Sequence, residues 1–77
     1  VGTPMLRDSQ MWMKIARISV ALGKRLHISP QRAFDMFMQS KTNELLLNPA
    51  SMLYLMSDLY IVDDFILELQ LGPRLKQ

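Results

Sequence analysis

The stretch SQMWMKIARISVALGKR, residues 9–25, decides the fold class. Within it Met11, Ile15, Ile18 and Leu22 recur at i, i+4, i+7 and i+11, the spacing of one apolar helical stripe. Trp12 and Ser19 flank that stripe, while Lys14, Arg17, Ala21 and Lys24 follow the same period on a different face and are joined by Arg25. Asp8 or Ser9 can cap the start by accepting a bond from an orphan N–H. Gly23 weakens the helix near its end, and the late bases complement the negative C-terminal dipole. The spacing predicts a helix over Ser9–Arg25.

Downstream, Ser29 precedes Pro30, a residue suited to the first helical position because its missing N–H would be unpaired there anyway. Ile28 can staple onto the first turn from outside. Ala33, Phe34, Phe37 and Met38 then form a face that stops near Ser40. Thr42 or Asn43 can cap a third segment, Glu44–Leu47, which Asn48-Pro49 interrupts, since the residue before a proline avoids the helical region. Pro49 can open the next turn with Asn48 as its cap. Ser57-Asp58 offers a further cap, and Asp58–Leu71 carries Ile61, Phe65 and Leu69 at i, i+4 and i+8, with Val62 and Ile66 beside them. Gly72-Pro73 is a stop signal. A short strand or extended turn over Leu53–Val62 is the alternative, given Tyr54, Tyr60, Ile61 and Val62. The pattern predicts an all-α fold, a compact bundle of three to four short helices. Residues 1–7 are expected to be a disordered remnant, residues 8–71 a single helical domain and residues 72–77 a flexible tail.

Composition bounds the rest. A 77-residue chain makes one domain or part of one, and at this size a core rarely supplies more than about 3–5 kcal/mol without disulfides, metal or a partner chain. There is no cysteine, which removes disulfides and thiolate zinc sites, and one histidine, which cannot build a zinc site without several carboxylates. With 49% apolar and 21% charged residues the chain is too hydrophobic for disorder. Charge is unevenly spread. Residues 1–41 hold seven bases against two acids, +5, and residues 42–77 two bases against five acids, −3. The halves can therefore attract each other, within one chain or between two. No secretory signal is apparent, apolar runs such as Leu45–Leu47 are far short of the about 20 residues a membrane span needs, and a cytoplasmic location is expected.

No motif carries chemistry. There is no nucleophile elbow, Gly-rich loop or His-x-x-x-His spacing, and no enzyme activity, cofactor, metal, membrane partner or small-molecule substrate is expected. Asp63 and Asp64 point about 100° apart on a helix and chelate poorly. They read as a helix-favouring acidic face or as a docking site for a basic partner. His27, in the link between the first two helices, reads as a solvated or packing residue. Lys14, Arg17, Lys24, Arg25 and Arg32 read as a solvated face, a protein-docking face, or a phosphate-binding face with Gln31 and Arg32 at the start of the second helix. Seven methionines, with Met11 opposed to Met13 and Met36 to Met38, are more than one small core can take up.

The runs His27-Ile28-Ser29-Pro30, Ala33-Phe34-Asp35-Met36-Phe37 and Tyr60-Ile61-Val62-Asp63-Asp64 resemble a small bacterial domain-of-unknown-function family, family 3791, over roughly residues 11–69. Pro30 and the Asn48-Pro49 break depart from its pattern, and the terminal tail falls outside it. The resemblance implies an all-helical accessory protein, often encoded near an ADP-ribosyltransferase-like or other toxin gene, and hence an antitoxin-like or toxin-adjacent role. It offers no catalytic residues to carry over.

The expectation is a protein-interaction module that binds itself or a heterologous protein by burying a Met- and aromatic-rich surface. The candidate partner-binding residues are Trp12, Met13, Lys14, Arg17, Lys24, Tyr54, Tyr60, Asp63 and Asp64. The alternative is a small nucleic-acid-binding protein using the basic first helix.

Overall fold

The stripe Met11, Ile15, Ile18 and Leu22 is buried along the whole of α1 (Asp8–Leu26) in the computed structural model, which describes residues 8–71. The remnant expected at residues 1–7, the tail expected at 72–77 and Met5 lie outside the described residues. Ser19, flanking the stripe, is buried too, and its hydroxyl donates to the Ile15 carbonyl at 2.8 Å, so it adds no unpaired polar group.

Gly23 does not end α1. The helix runs on to Leu26, and His27 takes the left-handed conformation (φ 60°) that closes it. The Ile28 N–H then reaches back to the Gly23 carbonyl at 3.0 Å, the six-to-one bond of a Schellman motif. Glycine is needed at 23 for a different reason. A Cβ there would lie 2.8 Å from the Ile28 carbonyl oxygen, because the returning chain crosses α1 at that point.

α2 (Pro30–Met38) starts as the sequence reads. The Ser29 hydroxyl accepts from the Arg32 N–H at 3.1 Å with Pro30 in the first turn. α3 (Lys41–Leu46) begins earlier than expected, and its cap is Ser40 rather than Thr42 or Asn43, both of which are buried within the helix. Ser40 works in two directions. Its hydroxyl accepts from the Asn43 N–H at 2.9 Å and donates to the Phe37 carbonyl at 2.6 Å, so one side chain joins the end of α2 to the start of α3.

Asn48 caps a 3-10 turn over Pro49–Ser51, and a second such turn spans Leu53–Leu55. No strand forms among the described residues; Met52, at φ 59°, turns the chain instead. α4 covers Asp58–Leu71 with the Ser57 hydroxyl accepting from the Tyr60 N–H.

The expected all-α bundle is thus, among the described residues, four helices around one core. α1 packs chiefly on α2 and also on α4, and α3 packs on α4. Phe37 of α2 meets Phe65 of α4 edge-on, with centroids 5.5 Å apart and planes at 75°, the arrangement aromatic quadrupoles favour. Ile61 and Val62 are fully buried beside them, whereas Leu69, on the same stripe, is 43% exposed. Principal extents of 36 × 31 × 18 Å describe a slab about two helix diameters thick, so every helix keeps an outward face.

Candidate protein-interaction surfaces

The basic face of α1 divides. Lys14, buried, donates to Asp58 Oδ1 and to the Met56 carbonyl, both at 2.9 Å. Arg17 Nε reaches Asp58 Oδ2 at 2.6 Å. The Arg17 hydrogen bond holds the Asp58 carboxyl below the usual carboxylate range; partial burial opposes it and Lys14 adds to it. The same bond raises the Arg17 guanidinium above its ordinary value. Arg25 pairs with Asp63 at 3.1 Å. The opposite charges of the two halves therefore meet inside one chain, α1 to the start and middle of α4. Among the five bases of that face, Lys24 and Arg32 are left without a carboxylate partner among the described residues.

Three surfaces take up eight of the nine candidate residues, and Lys24 stands apart from them. Met13, Lys14, Arg17 and Tyr54 come together with Gln10 around a hollow of about 330 Å³. Only Met13 brings an exposed apolar side chain to it, and both bases are already engaged with Asp58. Trp12 lies on the other side of α1, its ring 6.5 Å from that of Phe34. It stands beside a shallow apolar groove of about 360 Å³ between α1 and α2, lined by Ala16, Val20, Pro30 and Phe34, with Gln31 and Asp35 on its rim. Lys24 is exposed near the end of α1.

Tyr60, Asp63 and Asp64 lie on α4. Asp63 is held by Arg25; Asp64 is half-buried and makes no ion pair with a described residue. Around Asp63 stand residues that the sequence reading passed over: Leu59 at 62% exposure and Leu67 at 48%, with Tyr60 at 51%. Leu59, Tyr60, Asp63 and Leu67 fall at i, i+1, i+4 and i+8, one helix face opposite the buried Ile61, Val62 and Phe65. Leu55 and Met56 lead into it, also exposed. The signal was present as a second helical period out of phase with the core stripe.

The methionines sort accordingly. Met11 is buried; Met36 and Met38, on different sides of α2, both pack partly against the core; Met13, Met52 and Met56 are exposed. Glu68 crosses to α3, where its carboxylate accepts from the Lys41 and Thr42 N–H groups, each at 2.9 Å, and from the Thr42 hydroxyl at 2.7 Å. No group of three or more metal-ligating side chains converges among the described residues, and no described helix is long and apolar enough to cross a membrane. No protein-family model, curated protein or solved structure matches the chain.

Proposed function

We propose that the protein is a helical protein-interaction module that works by burying an apolar helix face against another chain. The observation that carries this reading is α4, which is apolar on both sides: one face fills the core and the other presents Leu59, Tyr60 and Leu67 to solvent. Burying such clustered apolar side chains is favourable, and in a slab of this thickness only another molecule can cover the outer face. Ion pairs such as Arg25–Asp63 at its border set orientation more than affinity. In its finer form, resting on the sequence resemblance alone, the module is an antitoxin-like or toxin-adjacent accessory protein, with a cytoplasmic setting suggested by the cysteine-free composition.

The test is whether the folded chain offers that surface. It should either self-associate or, as a monomer, bind an environment-sensitive apolar dye that Leu59→Lys and Leu67→Lys displace. A folded monomer that does neither overturns the reading. Nucleic-acid binding has less support, because three of the five bases it would use are committed to Asp58 and Asp63. It predicts salt-sensitive binding to duplex DNA that is lost when Lys24 and Arg32 become Ala.

A further inference from the structure

We infer that the occupant of the outer α4 face is a second copy of this chain, crossing antiparallel about a two-fold axis at Asp63; the inference rests on the interaction-module reading above. The face is laid out evenly about that residue. Leu59 stands four positions before Asp63 and Leu67 four positions after it, so an antiparallel copy sets Leu59 of one chain against Leu67 of the other on both sides of the crossing. Tyr60 adds an aromatic anchor beside each such contact.

A carboxylate on a two-fold axis faces its own image, and unpaired it would repel. Here it is already matched. Arg25 Nη1 holds Asp63 Oδ1 at 3.1 Å, with side-chain exposures of 46% and 62%. That single bond leaves Asp63 a second oxygen and Arg25 further N–H donors. Two copies can then exchange arginine–aspartate contacts across the axis, a four-charge ring that is neutral in sum and fixes the crossing point.

Area agrees with a modest dimer. At their exposures Leu55, Met56, Leu59, Tyr60 and Leu67 offer on the order of 500 Å² per copy, so pairing that covers all five removes on the order of 1,000 Å², the size of a weak, reversible dimer.

The absence of native cysteine among the described residues allows a geometric test on the full chain. Asp63→Cys should oxidise to a disulfide-linked dimer, because facing positions at a helix crossing bring Cα atoms within about 7 Å. Leu59→Cys alone should not, its two copies lying about 12 Å apart along the axes, whereas Leu59→Cys mixed with Leu67→Cys should cross-link. In sedimentation over a range of concentrations, Leu59→Lys or Leu67→Lys should raise the dissociation constant about 100-fold or more with helical content unchanged, since each substitution is felt twice. Asp63→Arg should do the same and Asp63→Arg with Arg25→Asp should restore pairing, while Val20→Lys in the α1–α2 groove should not matter.

A dimer broken by Val20→Lys and indifferent to Leu59→Lys overturns the α4 pairing while sparing the module reading. So does a monomer at every concentration that binds the apolar dye on α4. A monomer that binds no dye overturns both.

Discussion

α1 and α4 are the two helices that span the slab, and they treat their outward faces differently. α1 buries one stripe and turns to its flanks bases that the same chain then occupies with Asp58 and Asp63. Trp12, Met13 and Val20 stay exposed on it, and Lys24 keeps no carboxylate partner among the described residues. α4 buries Ile61, Val62 and Phe65 and then repeats apolar residues on the far side, where the fold has no use for them. The exposed apolar residues of α4 stand on one face around Asp63, the surface proposed above for interaction.

The sharpest break in that comparison lies within α4 itself. Phe65→Ala removes a fully buried ring packed on Phe37 and should cost about 3–5 kcal/mol in urea unfolding, enough to unfold a core of this size. Leu67→Ser, half a turn away, should change the stability of the monomer by no more than about 0.5 kcal/mol. Comparable losses at both positions would mean that the outer face is structural after all.

The next effect concerns the seam between the two helices. Asp58→Asn removes the charge that Lys14 and Arg17 share and one of the two oxygens they bond, and should cost about 1–2 kcal/mol at neutral pH, discounted for the exposure of Arg17. Asp58 titrates lower in the folded chain than in the unfolded one. Its stabilisation is therefore complete above the unfolded value of about 4 and fades as the pH falls through the lower folded value. The two proteins should differ most near pH 7 and converge as the pH falls through the lowered folded value. A gap that does not narrow as the pH is lowered would assign the loss to packing.

Two smaller effects probe how α1 ends. Gly23→Ala should gain about 1 kcal/mol from helix propensity alone, yet its Cβ meets the Ile28 backbone oxygen, so a net loss of about 1–2 kcal/mol is expected in thermal unfolding. His27→Gly relieves a left-handed non-glycine residue and should raise stability by about 0.5–1 kcal/mol. If both substitutions stabilise, the close crossing at Gly23 is not a constraint.

These positions also mark what the sequence makes legible. The core stripe of α1, the Ser29-Pro30 start and the bounds of α4 are local signals, periodicity and caps, and they can be read without knowing what lies nearby. Gly23 reads as a helix weakener because propensity carries no information about the strand of chain that returns across it. Ser40 reads only as the end of α2, since its second role depends on α3 folding back. The basic face reads as one surface, although its members choose acids about 40 residues away, and that choice divides it. Of the candidate site, Tyr60 and Asp63 were legible as an unusual segment. Leu59 and Leu67 were not, because leucine on a helix announces a core before it announces an interface.

The carboxylate of Glu68 has a consequence for the order in which the molecule comes apart. Six residues are too few for α3 to persist as an isolated helix in water, and its first two amides are held from α4. When α4 lifts away, α3 loses its terminal acceptor and melts with it, so the pair forms a single cooperative unit. The backbone protons of Lys41 and Thr42 thereby keep time for α4. Their exchange with solvent records how often that helix undocks, and a partner that clamps α4 in place would slow both clocks from more than twenty residues away.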